Sequence, residues 1–395
     1  MKIRSVEVIN AHRSGRDGIS RWNPTWVRIE TDEGIDGVGE VGLAYGVGAS
    51  ASVGMVRDLS EAFVLGADPF DSERLWEKLF RGSFWGEGGG PVVTGAISAI
   101  DAAIWDIKGK ALGMPVWKLL GGRTNESLRT YASQIQFGWS PDGTSFLGAP
   151  ELYGEAAARA VADGYDCVKV DPIMIDASGQ RNPPPRGLFS GEQLGLFRRR
   201  MESVRNAVGP EVDIILELHS FTSKSGAEQL SDLFSDLSLF FMEEPTHYAN
   251  PGAHLAVHDR SGLRFSAGER FYTRWGAEPY ISANAIDVIQ PDFGLIGGIT
   301  EGKKVCELAH LHDITVQGHV CGSPVATAIA LQVETVIPNF QIHEHHVYAL
   351  QNVNRELCEE DLQPQGGRFR VSDAPGLGIR LSGLARRDAD ILTIA

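Results

Sequence analysis

The sequence has little cysteine, a shortage of positive charge and no long apolar run. Its four cysteines among 395 residues (Cys167, Cys306, Cys321 and Cys358) lie far apart, with no CxxC spacing. That argues against a disulfide framework or a zinc ribbon. Free thiols in a reducing cytosol are the simpler reading, so a cytoplasmic protein is expected. Lys and Arg number 36 against 51 Asp and Glu, a net charge of −15. Nucleic acid and anionic membrane are therefore not expected as partners. An anionic small molecule is still allowed, because a local site can invert the global sign. No stretch approaches about eighteen uninterrupted apolar residues, so no membrane span is expected. The first eight residues alternate like a strand and lack the apolar core of a signal peptide.

Apolar residues make up 43% of the chain, enough for a large core. Glycine is plentiful, 46 of 395, which points to many tight turns or close backbone approaches. A (β/α)₈ barrel takes about 250 residues, which leaves room for one smaller domain.

The first stretch reads as strands at Lys2–Ile9, Thr25–Thr31 and Ile35–Val41. A helical region from about Ser50 to Leu79 follows, then the glycine-rich run Gly86–Gly90. Thr94–Leu112 has apolar residues at helical spacing and is stopped by Gly113 and Pro115. Beyond Leu128, short apolar runs alternate with amphipathic stretches. The runs are Arg129–Ser133, Cys167–Asp171, Ile214–His219, Leu239–Glu244, Arg264–Glu269, Ile286–Asp292, Ile314–His319 and Phe340–Glu344. Strands alternating with helices imply a parallel sheet, and eight of them imply a closed barrel. The expected fold is α/β: a smaller domain over 1–125, a barrel over 126–358, and a segment 359–395 returning to the smaller domain. One insertion, Pro172–Gln193, breaks the rhythm after the second strand and contains Asn182-Pro183-Pro184-Pro185, which cannot be helix interior.

In a barrel, functional side chains come from the C-terminal ends of strands. That rule picks out Glu217, Glu243 and Glu269, each one strand–helix unit apart on consecutive strands. Three converging carboxylates repel, and a bound cation resolves the repulsion. An all-oxygen set suits Mg²⁺ or Mn²⁺ better than Zn²⁺. Glu244 is expected to meet a basic residue beside this set. Strand six ends in Asp292 and strand seven in His319. An Asp that holds one ring nitrogen leaves the other as a general base. His219, on strand three, faces His319 from the opposite wall. Lys169 on strand two adds positive charge, and Asp171 points to the same side of that strand. On strand eight, Glu344 is placed to meet a substrate oxygen or carboxylate, with a weaker contact role for the neighbouring His343, His345 and His346.

Taken together, these residues resemble the enolase superfamily in its mandelate racemase-like branch. The helix GAISAIDAAIWDIKGKALGMPVWKLLGG and the strands carrying VKVD, LELH, MEEP, AGER, QPD, GHV and HEH follow that branch's order. The resemblance implies an α+β capping domain over a modified (β/α)₇β barrel, Mg²⁺ on Glu217, Glu243 and Glu269, and a His319–Asp292 base. It also implies a homo-oligomer, from dimer to octamer. Racemases of the branch carry Lys-x-Lys on strand two, and here the second position is Asp171. A histidine two residues past the first ligand resembles galactonate dehydratase-type acid-sugar dehydratases, although their first ligand is usually Asp and here it is Glu217.

The expected reaction is Mg²⁺-dependent dehydration of a sugar acid to a 2-keto-3-deoxy acid. His319 would take the C2 proton and His219 would protonate the departing 3-hydroxyl. Lys169 and Glu344 would position the carboxylate end. The same site permits epimerisation, or cycloisomerisation of an anhydro-sugar acid or lactone. A non-catalytic sugar-acid sensor would be expected to have lost part of the constellation. Specificity is expected from His12–Asn23, with Arg21 and Trp22 as substrate contacts beside Asp171, from Trp85–Gly90, and from the Pro172–Gln193 insertion.

Overall fold

The computed structural model describes residues 1–11, 22–185, 187–387 and 389–395. Three antiparallel strands open the chain: β1 (Ile3–Ala11), β2 (Thr25–Thr31) and β3 (Asp36–Val41). Helices α1 (Ala49–Leu59), α2 (Ser72–Glu77), α3 (Pro91–Leu112) and α4 (Val116–Leu119) follow. The expected Ser50–Leu79 helical region is divided by π-helical turns at Ser60–Val64 and Lys78–Gly82. Helix α3 begins three residues earlier than its apolar spacing suggested. Pro91 sits in the first turn, where its missing N–H costs nothing, and Gly113 ends the helix in the left-handed conformation.

Eight parallel strands then alternate with seven helices. They run β4 (Leu128–Ser133), α5 (Pro150–Ala162), β5 (Cys167–Val170), α6 (Gly191–Val208), β6 (Asp213–Glu217), α7 (Lys224–Phe234), β7 (Phe241–Glu243) and α8 (Pro251–Ser261). The second half runs β8 (Phe265–Ala267), α9 (Thr273–Ser282), β9 (Val288–Ile289), α10 (Gly298–Leu311), β10 (Thr315–Val316), α11 (Pro324–Glu334) and β11 (His343–His346). The sheet order is β10-β9-β8-β7-β6-β5-β4-β11, and a parallel bridge between Val316 and Phe340 closes the ring. This is a (β/α)₇β barrel. The eighth strand lies later than Phe340–Glu344, because Phe340 belongs to the closing bridge and regular pairing with β4 starts at His343.

Beyond the barrel, β12 (Arg368–Phe369) pairs with β4, and β13 (Ala389–Ile394) returns to pair antiparallel with β1. No helix among the described residues is long and apolar enough to cross a membrane.

Strand alternation sets what the barrel interior holds. Tyr131, Cys167, Ile215, Phe241 and Ile342 form one buried apolar layer. Two residues further along the same strands come Ser133, Lys169, Glu217, Glu243 and Glu344. Side chains two apart share a face, so this polar set sits directly above the apolar floor.

The capping layer docks on the barrel through buried polar contacts. Glu40 on β3 accepts hydrogen bonds from the Ser323 and Ala326 backbone N–H groups, at 2.9 and 3.2 Å. Asp101 on α3 accepts from the Thr300 N–H at 2.9 Å and its hydroxyl at 2.6 Å. Each carboxylate thereby satisfies the open N–H groups at the start of a barrel helix, α11 and α10 respectively. These are the helices that follow His319 and Asp292.

Candidate active site

Glu217 and Glu243 end neighbouring strands and pair in register, while Glu269 follows β8 across the tight Gly268. One carboxylate oxygen from each lies within 4.8 Å of the others, and all three side chains are buried. Oε2 of Glu243 accepts no hydrogen bond, and Oε2 of Glu217 meets only the Lys169 ammonium, at 3.1 Å. Buried, unsatisfied carboxylate oxygens that converge fit a divalent cation with oxygen ligands.

Lys169 lies beside this triad. Its Nζ is 2.6 Å from Glu243, 2.9 Å from Glu344 and 3.1 Å from Glu217. Burial would raise Glu217, but the charges of His219 and Lys169 outweigh it and hold the group at about 2. Burial and the adjacent Glu217 charge push Glu243 the other way, well above the usual carboxylate range.

Glu244 is not in the triad. It is paired with Arg270, which also touches Glu269. Burial and the Glu269 charge raise Glu244 to about 7.

His319 Nδ1 is 2.7 Å from Asp292 Oδ2, and Asp292 Oδ1 accepts the Gly294 N–H at 2.7 Å. The other ring nitrogen, Nε2, lies 3.6 Å from Glu269. Burial opposes the charged ring, yet Glu269, Asp292 and Glu344 raise His319 to about 10.

On the opposite wall, His219 Nδ1 is 2.8 Å from Asp171 Oδ2. Burial disfavours the cation here as well, and Glu217 and Asp171 overcome it, so His219 is raised. Its backbone is left-handed, with φ 50°, and its N–H donates to Glu217 Oε1 at 2.7 Å. A non-glycine residue held in that region marks a turn that its surroundings over-determine.

The structure revises three expected contacts. Asp171 is not free for substrate: one oxygen serves His219 and the other accepts the Ile173 and Met174 N–H groups, both at 2.8 Å. Glu344 gives Oε1 to Ser133 and Lys169 and Oε2 to the Val320 N–H, so it orients Lys169 and the segment after His319. His343 points away from the interior. It is fully buried, 2.6 Å from Glu334, with its ring edge-on to Phe369, because it alternates with the inward Glu344. Trp22 reaches the mouth, packed on Tyr348 with ring centroids 4.6 Å apart and clustered with Ala44 and Cys321. Arg21 lies outside the described residues, as does most of the segment 12–23 expected to set specificity.

Three residues at the mouth escaped the sequence reading, and a fourth, His346, has only a weak contact role in it. His346 is inward, two residues past Glu344, and burial lowers it to about 3. Alternation along β11 could have singled it out. Gln134, at the end of β4, approaches His219 with 3.4 Å between the amide nitrogen and Nε2. The strand-end rule applied to the first strand would have found that one. Tyr45, from the loop after β3, lies near Glu269, Arg270 and Asp292. Arg270 went unassigned because nothing in the sequence separates it from an ordinary surface arginine. A cleft of about 640 Å³ runs beside the mouth between Gly88–Gly89 of the glycine-rich run and Arg270, Tyr272 and Trp275.

Two family models match the chain. Residues 12–121 match the mandelate racemase / muconate lactonizing enzyme N-terminal domain, and residues 152–385 match the enolase C-terminal domain-like family. The chain belongs to the enolase superfamily, in its dehydratase-like group. A D-xylonate dehydratase from Haloferax volcanii is 30% identical over 96% of this chain and 88% of its own length. A D-galactonate dehydratase from Ralstonia pickettii is 32% identical over 91% of this chain and 89% of its own. The crystal structure of an enolase superfamily member from Salmonella Typhimurium is 46% identical over the whole of both chains, with a TM-score of 0.95. Superfamily membership agrees with the barrel, the capping layer and the buried acidic triad described above.

Proposed function

We propose that this enolase superfamily member dehydrates a sugar acid to a 2-keto-3-deoxy acid. The observation that carries the reading is a pair of His–Asp dyads, His319–Asp292 and His219–Asp171, on opposite walls of one carboxylate triad. Two curated relatives are named for dehydrating D-xylonate and D-galactonate. Glu217, Glu243 and Glu269 would hold Mg²⁺ or Mn²⁺. Such a cation, when bound, stabilises the negative charge that develops beside a carboxylate as its α-proton leaves.

The chain's own groups then divide the proton work. With a cation on the triad to offset the Glu269 charge that raises His319, Nε2 would be free to act as base and, its partner nitrogen held by Asp292, would remove the proton from C2. The electron pair is first delocalised into the substrate carboxylate as an enediolate, which can be reprotonated at C2, and then moves into a C2–C3 double bond as the C3–O bond breaks. His219, protonated at Nε2, passes that proton to the departing oxygen, and water leaves. The resulting enol tautomerises to the 2-keto-3-deoxy acid. Lys169, anchored by Glu344 and two triad carboxylates, holds the substrate carboxylate by charge. Trp22 and Tyr348 close one side of the mouth over the sugar chain, and Tyr45 and Arg270 border the other.

The test is a screen of Mg²⁺-loaded protein against aldonic and aldaric acids, scoring 2-keto acid. A hit abolished by chelator supports dehydration and names the hydroxyl stereochemistry. A C2 proton that exchanges with solvent while substrate mass is conserved would replace dehydration with epimerisation or cycloisomerisation.

A further inference from the structure

The two dyads differ in what surrounds the working nitrogen. His319 Nε2 faces the triad, whereas His219 Nε2 faces a side-chain amide, Gln134 Nε2, at 3.4 Å. Gln134 is left-handed, with φ 68°, at the C-terminal end of β4, and its side chain is buried. Its amide oxygen accepts a hydrogen bond from the Gln136 amide. The Gln136 oxygen in turn accepts the backbone N–H of Asp171 at 3.1 Å. Asp171 closes the circuit by holding His219 Nδ1.

The direction of this circuit is fixed at one point. A backbone N–H can only donate, so Gln136 must present its oxygen to Asp171 and its N–H to Gln134. Gln134 must then present its own N–H towards His219. Neither amide can turn over without setting a donor against a donor. An amide nitrogen carries two hydrogens, and nothing in the circuit accepts the second. Two nitrogens 3.4 Å apart can both lie at about 2.9 Å from one oxygen placed between them.

We infer that Gln134 binds the substrate oxygen on which His219 acts, and so selects which hydroxyl leaves. This rests on the dehydratase reading. On that reading the leaving oxygen accepts from Gln134 while His219 delivers its proton. The amide places that oxygen before the C3–O bond breaks and holds the water as it forms. A sugar acid without an oxygen at that carbon, or with its configuration inverted there, leaves the buried amide unpaired and is rejected.

The experiment compares wild type with Gln134→Met and Gln134→Glu, both close to glutamine in size, using Mg²⁺-loaded protein in deuterated water. Circular dichroism and thermal midpoints check the fold of each variant. Two products are followed with the substrate found in the screen: deuterium at C2 of recovered substrate, and 2-keto acid. The expected result is at least a tenfold loss of keto acid in both variants, with C2 exchange within about threefold of wild type. Gln134→Glu, which sets an acceptor where the oxygen must sit, falls at least as far as Gln134→Met. Equal loss of both products would mean a merely structural role and would overturn the inference. So would keto-acid formation within twofold of wild type in Gln134→Met. Wild type that neither exchanges the C2 proton nor forms keto acid with any sugar acid overturns the dehydratase reading itself, and the inference with it.

Discussion

His219 Nδ1 and Asp171 Oδ2 are 2.8 Å apart. The strand-two position that the sequence suggested as a substrate contact is thus the partner of the strand-three histidine. Because Asp171 can only accept, His219 carries its Nδ1 proton inward and turns Nε2 towards the mouth. The barrel has a comparable dyad on each side of the triad, and the predictions follow from their division of labour.

Asp171→Asn puts an N–H where an acceptor is needed. Either His219 loses its partner or the Ile173 and Met174 N–H groups lose theirs. Keto-acid formation should fall about 10²-fold, while exchange of the C2 proton with solvent persists. Mass spectrometry of substrate recovered from deuterated water reads both. Exchange lost in parallel with elimination would contradict the assignment.

His319→Asn should remove exchange and elimination together, by about 10²- to 10⁴-fold. No other buried histidine at the mouth has a free nitrogen this close to the triad, at 3.6 Å from Glu269, among the described residues. The check is the same deuterium assay, and exchange at near wild-type rate would remove His319 from its role.

The triad predicts stabilisation by metal. Adding Mg²⁺ to chelator-treated protein should raise the thermal midpoint, by about 2.7 kcal/mol of stability at a hundredfold excess over the dissociation constant. Glu243→Gln should abolish that rise. Differential scanning fluorimetry decides the matter, since a midpoint indifferent to Mg²⁺ in wild type leaves the triad without a cation.

Glu40, which lines a pocket with Asp292 and His319, predicts a pH dependence of stability. Burial outweighs its hydrogen bonds to Ser323 and raises it from 4.5 to about 7. A carboxyl raised on folding favours the protonated native state. Its contribution is complete below pH 4.5 and is lost as pH rises through about 7. Wild type should therefore lose up to about 3 kcal/mol relative to Glu40→Gln across that interval. Urea unfolding of both proteins between pH 4.5 and 8 measures the difference. A constant gap would show that Glu40 titrates normally.

The sequence by itself determined the barrel and the chemistry of its mouth. Strand and helix periods are local properties, so eight apolar runs separated by amphipathic stretches specified the alternation. The strand-end position of Glu217, Glu243, Glu269, Asp292, His319 and His219 specified which residues meet. Tertiary structure decided which partner each residue takes, because partners come from neighbouring strands whose register and turn angles no local pattern encodes. Asp171 turned to His219 and Glu344 to Lys169, Ser133 and Val320, and both lost the substrate contact that spacing alone allowed. That His343 faces outward and His346 inward follows by alternation from the inward Glu344, a signal the sequence already carried. Gln134 entered the site through a left-handed turn and an amide circuit anchored by one backbone N–H, a polarity that exists only once three separate segments have been brought together.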